Sequence, residues 1–188
     1  MDNQRNLLEV QRGVGEFAGF RCLKRITQDN TTPQRMKWLW EKMQECDYAF
    51  DDFTRGRVDY FVHEFALEEN EFYEVADSGM VVMSNIVAQG GARLHYLVWD
   101  RELNLTTRKG PALDAFDYLF FKRQVHHVVG MIPSNNQYAI RFATAVGMRF
   151  EGEIREDFLY KGRYYNMHIY GILDREYSGP EGRRRRLL

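Results

Sequence analysis

Apolar residues recur at helical spacing in two segments of the first third of the chain. Residues 31–46 read TTPQRMKWLWEKMQEC, in which Thr32 can cap a helix and Pro33 fits its first turn. One face of this helix collects its apolar side chains: Met36, Leu39, Trp40 and Met43. The same spacing returns at Val58, Phe61, Val62 and Phe65 and predicts a second helix.

Elsewhere the spacing of apolar residues shortens from the helical period to that of a β-strand, which predicts strands. Residues 19–26 form a first candidate strand, and residues 71–77, 79–89 and 92–100 form three more, separated by Asp-Ser-Gly and Gly-Gly turns. The three consecutive runs predict an antiparallel meander.

The second half of the chain alternates helix and strand. A helix from about Pro111 to Lys122, a strand over residues 126–133 and a helix opening at Asn136 and stopping at Gly147 precede a last hairpin. The hairpin turns at Lys161-Gly162. A meander that feeds a β–α–β crossover implies a mostly antiparallel sheet with one parallel central pair.

The segment before the predicted helix at Pro111 is a candidate anion site. Gly110 allows close backbone approach, Pro111 suits a first helical turn, and Arg108 and Lys109 add positive charge. A helix amino terminus offers unpaired N–H groups to phosphate. An ordinary helix entry with solvated basic residues is the competing interpretation.

Composition fits one domain of a reduced compartment. The chain has 188 residues, 44% of them apolar, and we interpret Cys22 and Cys46 as buried thiols. We find neither a signal peptide nor an apolar stretch long enough for a membrane span, and expect a cytoplasmic protein. The net charge of −1 becomes −5 without the four arginines 183–186, which argues against nucleic acid as the main ligand.

A run of residues at fixed spacings lies near the carboxyl end: Asn136, Ala139, Gly147-Met148, Glu151-Gly152, Ile154-Arg155, Gly162, Asn166 and Tyr170-Gly171-Ile172-Leu173. This run resembles GNAT acetyltransferases, specifically the branch that is similar to ribosomal-protein amino-terminal acetyltransferases. The resemblance implies the GNAT fold, an α+β domain whose mixed, mostly antiparallel sheet is flanked by helices and has a splayed parallel strand pair. We expect this domain over residues 15–177, after a segment 1–14 and before a basic, disordered tail 178–188.

The resemblance also implies acetyl-CoA as cosubstrate. Residues 107–112 resemble the family's pyrophosphate-binding segment: Gly110 and Ala112 match, whereas Thr107 departs from the usual Gln or Arg. The cofactor-binding residues implied are Leu97, Val98, Arg108, Lys109, Gly110, Pro111, Ala112 and Asn136. The cleft should open between residues 92–99 and 127–132.

Acyl transfer to an amine requires a neutral amine, and we select His95 as the candidate base, with a merely structural histidine as the alternative. The family's usual tyrosine acid, seven residues after the asparagine, is Ala143 here. The histidines show no metal-ligand spacing, so we predict no metal site.

Two functions follow. The first is acetyl-CoA-dependent N-acetyl transfer to a protein amino terminus, a lysine or a small amine. The alternative is a GNAT-fold module that has lost turnover and binds or regulates a partner. The acidic residues between 44 and 70 would suit a cationic amine or form a solvated face. A homodimer is compatible with either function, and we expect neither function to involve a membrane.

Overall fold

The structure is a computed structural model that describes residues 21–100 and 105–177, with the backbone alone for residues 105–108. The predicted segment 1–14 and the predicted tail 178–188, with its four arginines, lie outside the described residues. So does the start of the strand predicted at 19–26, of which the structure forms only Lys24–Ile26.

A seven-stranded sheet is the centre of the fold. Its strands are β1 Lys24–Ile26, β2 Glu71–Val75, β3 Gly79–Ser84, β4 Gly91–Val98, β5 His127–Pro133, β6 Arg149–Tyr160 and β7 Arg163–Leu173. They lie in the order β1-β2-β3-β4-β5-β7-β6. Among the described strands every neighbouring pair is antiparallel except β4 and β5, which confirms the predicted meander and the one parallel pair.

Four helices of eight or more residues flank the described part of the sheet. They are α1 Pro33–Glu45, α2 Val58–Ala66, α3 Leu105–Asp117 and α4 Gln137–Ala145, and a π-helical turn, Tyr118–Lys122, continues α3. Helix α1 begins as predicted, because the Thr32 hydroxyl accepts the Arg35 N–H at 3.2 Å and Pro33 needs no N–H partner there.

The two faces of the sheet carry separate cores. Leu39 of α1 and Phe61 of α2 pack with Phe72 and Met80 on one face, which we call the α1/α2 face. On the other face, the α3/α4 face, Phe116 and Ala143 pack with strand residues that include Tyr73, Val81, Leu94 and Val128. The alternation of side chains along each strand therefore decides which helices a residue meets.

The buried stripe of α2 is narrower than its sequence suggests. Val58 and Val62 share the predicted apolar face but are 51% and 58% exposed, whereas Phe61 is buried. Phe61 and Phe65 both contact Phe72 of β2, with ring centroids 6.1 and 5.2 Å apart. The aromatic residues alone anchor α2, because they reach the sheet and the two valines turn outward.

Helix α3 begins at Leu105, six residues before the predicted start at Pro111. Residues 107–112 are therefore helical, and the prediction of a loop there is wrong. Contacts with an earlier part of the chain accompany this longer helix. The Asp114 carboxylate accepts the backbone N–H groups of Arg21 and Cys22, each at 2.7 Å. A Cβ atom at position 110 would lie 3.2 Å from the Cys22 sulfur, so the absence of a side chain at Gly110 lets Cys22 pack against α3.

The cysteine interpretation is half right. Cys46 is buried, as expected, but Cys22 is exposed beside α3. Partial desolvation of the Cys22 thiol and the negative charge of the nearby Asp114 carboxylate raise the pKa of this thiol, which disfavours the thiolate.

Helix α4 begins and ends where the sequence indicates. The Asn136 side chain accepts the Ala139 N–H at 3.1 Å and caps the helix. Gly147 takes φ +99°, a left-handed conformation that glycine adopts without strain, and the chain turns into β6. The hairpin turn at Lys161 and Gly162 has φ values of +51° and +72°, as a tight turn between long strands requires.

Candidate active site

The parallel strands β4 and β5 separate after a short paired region. Only three residue pairs are in register, Gly91 with His127, Ala92 with Val128 and Arg93 with Val129. Both strands continue beyond this point, to Val98 and Pro133. The predicted splay is confirmed, and beyond Arg93 it leaves the β5-facing backbone groups of β4, including those of Val98, without a ladder partner on β5. The carbonyl of Leu97 points instead toward Gly79 of β3.

His95 lies in the separated part of β4 and projects from the α1/α2 face, opposite Val82 of β3. Its ring is exposed in terms of accessible surface. Nevertheless, the surrounding protein atoms desolvate the imidazole. This desolvation, and secondly the positive charge of Arg93, lowers the pKa of His95. A lowered pKa keeps the imidazole neutral at pH 7, which is the form a general base needs.

The predicted phosphate-binding residues lie at different depths in α3. Lys109 and Gly110 are half-buried, whereas Pro111 and Ala112 are buried, Ala112 with 1% exposure. The side chain of Arg108 lies outside the described side chains. Because α3 begins at Leu105, its unpaired N–H groups belong to residues 105–108 and not to 110–112.

Two adjacent asparagines at the end of β5 have different environments. The resemblance assigns Asn136 to cofactor binding, but its amide oxygen accepts the Ala139 N–H in the cap of α4. Asn135 is the residue that the sequence analysis missed: its Oδ1 is buried and has no hydrogen-bond partner among the described residues. A buried acceptor without a donor is costly, so it suits a ligand N–H. The sequence signal was the Asn-Asn pair itself, of which a helix cap needs only one.

The position of the family's tyrosine acid is closed to solvent. Ala143 is 3% exposed and packs in the α3/α4 core. A tyrosine acid is therefore absent from this position, as the sequence indicates. Two tyrosines elsewhere, Tyr138 of α4 and Tyr164 of β7, are exposed at 51% and 59%.

The loop between α1 and α2 is tied to the tip of the β6–β7 hairpin. The Tyr160 hydroxyl donates to Asp47 at 2.8 Å, and the Asp52 carboxylate accepts the N–H groups of Lys161 and Gly162 at 3.0 and 2.8 Å. These backbone donors lower the pKa of Asp52.

The acidic stretch is largely engaged within the chain. Asp51 accepts from Phe53 and Thr54, Asp59 pairs with Arg57, and Glu64 accepts from Asn70. Together with Asp47, Asp52 and Glu45, which pairs with Lys42, six of the eight carboxylates between residues 44 and 70 have intramolecular partners. Glu68 and Glu69 are exposed. Most of these carboxylates thus serve loop structure.

A histidine–glutamate pair crosses β7 on the α1/α2 face. His127 Nε2 of β5 and Glu151 Oε1 of β6 lie 3.0 Å apart, and we call them the strand-crossing pair. A side chain on Gly171 of β7 would collide with both, so a glycine is required beneath them. His126 instead contacts Asp174 at 3.1 Å, so the two adjacent histidines have separate partners.

The described residues contain neither a metal-type cluster nor a membrane-spanning helix. Over the described ranges 21–100 and 105–177, no three histidine, cysteine, aspartate or glutamate side chains are grouped as a metal site would need. No described helix is long and apolar enough to cross a membrane.

Solved structures match the chain in three dimensions. A spermidine N-acetyltransferase from Vibrio cholerae in complex with CoA and spermine superposes with a TM-score of 0.62 at 16% identity, over 82% of this chain and 96% of that one. A probable GNAT-family acetyltransferase from Chromobacterium violaceum gives 0.64 at 17% identity, over 82% and 87%. The chain has the GNAT fold. Identities this low establish the fold alone.

A further match repeats this picture. A spermidine N-acetyltransferase SpeG chimera from Vibrio cholerae and hSSAT aligns with a TM-score of 0.65 at 16% identity, over 82% of this chain and 98% of that one. Neither a protein-family model nor a curated protein matches the sequence.

Proposed function

We propose that the chain is an N-acetyltransferase that uses acetyl-CoA and acetylates a primary amine. The observation that carries this proposal is the splay of β4 from β5 after three residue pairs. It leaves strand backbone groups free to pair with an extended, amide-containing arm, and α3 begins seven residues after β4 ends. In the GNAT fold this is the place where a coenzyme A thioester fits.

The residues present fit such a ligand. The unpaired N–H groups of residues 105–108 would bind the pyrophosphate, in place of the contacts to 110–112 that the sequence resemblance implied. Asn135 would accept an N–H of the pantetheine arm through its orphaned Oδ1. Backbone N–H groups beyond Arg93 on β4 would donate to the thioester carbonyl oxygen as negative charge develops there.

The cosubstrate supplies the activated acetyl group, and the protein positions and deprotonates the amine. His95, neutral at pH 7, would accept a proton from the amine directly or through one water. The tie between the α1–α2 loop and the hairpin tip would hold the acceptor against the splay. We infer from the spacings at 136–173 that the chain belongs near the ribosomal-protein acetyltransferase branch.

Ligand-induced stabilisation tests the proposal independently of turnover. Coenzyme A at about 100 times its Kd should add about 2.7 kcal/mol to the free energy of unfolding. For a domain of this length that corresponds to a rise in Tm of roughly 5–10 °C. Desulfo-coenzyme A should act equally well, because the phosphates and amides and not the sulfur make the proposed contacts.

A pair of adjacent variants separates ligand contact from helix capping. Asn136→Ala should cost about 1 kcal/mol of stability through the lost cap while the ligand-induced shift persists. Asn135→Ala should leave stability nearly unchanged and reduce the shift, because it removes the acceptor for the pantetheine N–H. The opposite result would return the ligand contact to Asn136, and no shift in the wild type would remove the enzyme proposal.

Ala143 favours one alternative, a GNAT-fold module that binds acyl-CoA without turnover. Its burial leaves the departing thiolate without the family's tyrosine acid. Stabilisation by coenzyme A together with no thiol release across a panel of amines would select this alternative.

A further inference from the structure

An apolar pocket opens on the α1/α2 face beside the start of the splay. It has a volume of about 330 Å³, in the range of small-molecule sites and too small for a folded partner. The side chains that form its apolar walls are Val87, Val129, Met131, Ile154 and Ile169. Val87 and Ile154 are 58% and 41% exposed, an unusual degree of exposure for branched aliphatic side chains.

A single charged side chain, Arg93, lines this pocket. Arg93 is exposed, and no carboxylate pairs with it among the residues that the structure describes. A guanidinium without an internal partner at the edge of an apolar site is arranged to bind a planar anion such as a carboxylate.

The pocket also has a fixed relation to the candidate base. Arg93 and His95 are two residues apart on β4 and project from the same face, which separates their backbones by roughly 6.6 Å. Arg93 is the last residue of β4 that pairs with β5, and His95 lies in the part of β4 that is separated from β5. A molecule whose carboxylate meets Arg93 can therefore present an amine a few bonds away toward the splay.

From these features we propose that the acceptor is an apolar α-amino acid, bound with its carboxylate on Arg93, its side chain among Val129, Met131 and Ile169, and its amine toward His95. The inference rests on the proposed function. A polyamine fits this surface poorly, because Arg93 repels a polycation and six of the eight carboxylates between residues 44 and 70 are already engaged.

The reaction balances without any further reactant. The amine nitrogen forms a bond to the acetyl carbonyl carbon, and the carbon–sulfur bond breaks. The sulfur leaves with the electron pair and takes up a proton, and the amine loses a proton to His95 or water. The products are an N-acetylamino acid and free coenzyme A.

The first experiment compares acceptors that differ in one group. Thiol release from acetyl-CoA would be measured with leucine, leucinamide, 3-methylbutylamine and spermidine, each at matched concentrations of the neutral amine. Leucine should have a KM lower by about tenfold or more than leucinamide, because only leucine offers a charged hydrogen-bond partner to Arg93. Equal KM values, or turnover of spermidine without leucine, would overturn the proposal.

Variants then locate the effect. Arg93→Gln should raise the KM for leucine about tenfold and change the KM for leucinamide by less than about threefold. Arg141→Gln is the matched control, since Arg141 is an exposed arginine on α4, across the sheet. A loss of the same size with both acceptors in Arg93→Gln would show that the arginine is structural.

Binding of N-acetylleucine gives a readout that does not require turnover. This product retains the carboxylate and the side chain, so it should raise the Tm of the wild type and of Arg141→Gln, but not of Arg93→Gln. If coenzyme A fails to stabilise the protein while N-acetylleucine succeeds, the enzyme proposal falls and the pocket assignment stands. If coenzyme A binds and N-acetylleucine does not, the amino-acid proposal falls alone.

Discussion

Replacement of His95 by glutamine tests the chemistry most directly. Glutamine keeps polarity and much of the volume on β4 but cannot accept a proton. If His95 acts as the base, His95→Gln should lower kcat/KM at pH 7 on the order of 10²-fold. Binding of coenzyme A should be unchanged, because His95 projects toward the acceptor and not toward α3.

The expected change in this loss between pH 7 and pH 9 follows from the titration of the acceptor amine. An α-amine with a pKa near 8, such as that of leucinamide, is about one-tenth neutral at pH 7 and about nine-tenths neutral at pH 9. The amine deprotonates unaided at the higher pH, so the defect of the variant should shrink by about tenfold between pH 7 and pH 9. The assay is thiol release under kcat/KM conditions at both pH values.

The lowered pKa of His95 adds a second signature. Protonation of the imidazole should abolish base catalysis only below the ordinary histidine pKa of about 6.5, so the acidic limb of the wild-type pH profile should lie below that value. Because the unfolded chain binds this proton more readily than the folded one, the stability contribution of His95 is lost as pH falls through that window. Both effects should vanish in His95→Gln.

The matched control is His63→Gln, on the exposed side of α2. It should leave kcat/KM unchanged at both pH values. An equal loss in His95→Gln at pH 7 and pH 9 would refute a base and leave His95 as a strand residue that shapes the site.

Three further predictions address packing and the acceptor side. Gly171→Ala should lower the free energy of unfolding by about 1–3 kcal/mol, because its methyl group displaces the strand-crossing pair, whereas Gly152→Ala, which meets nothing within 4 Å, should stay within about 0.5 kcal/mol in urea titrations. Glu71→Gln should cost about 1–3 kcal/mol, since this buried carboxylate accepts from the buried Tyr73 hydroxyl at 2.6 Å and pairs with Arg123; a loss below 0.5 kcal/mol would contradict that account. Tyr160→Phe should raise the acceptor KM by about three- to tenfold and leave the acetyl-CoA KM unchanged, and a change in both would show a general loss of folding.

Local chemistry made some elements predictable from the sequence. Helix α1 has a capping threonine, a first-turn proline and a single apolar period, and all three agree. The β6–β7 hairpin follows from Gly162 between two strand-like runs, because glycine accepts the positive φ that a tight turn requires without strain. The splay was implied by the resemblance over residues 136–173 and not by any local pattern.

The start of α3 was mispredicted because its local signals conflict with its tertiary contacts. Gly110 and Pro111 are typical of a helix boundary, yet Cys22 packs on Gly110 and Asp114 binds the backbone of Arg21 and Cys22. These partners lie about ninety residues earlier in the chain, beyond the reach of any window of local sequence. The outward orientation of Val58 in α2 was missed for a related reason: periodicity finds a stripe but not the width that the sheet covers.

The acceptor side shows the same limit in functional terms. Sequence alone counts eight carboxylates between residues 44 and 70, a number that would suit a cationic acceptor or a solvated face. The structure shows that Asp47 and Asp52 hold the hairpin tip, more than one hundred residues away, and that three others serve neighbouring backbone or side chains. Over the same face, Arg93 has no carboxylate partner among the described residues. At the pocket beside the splay, the charge that is free to meet a ligand is therefore positive, although the sequence between residues 44 and 70 is net negative. The GNAT fold is set by the sheet and its splay, whereas acceptor choice depends on loops and strand faces, so this chain can share the fold of spermidine acetyltransferases and select a different amine.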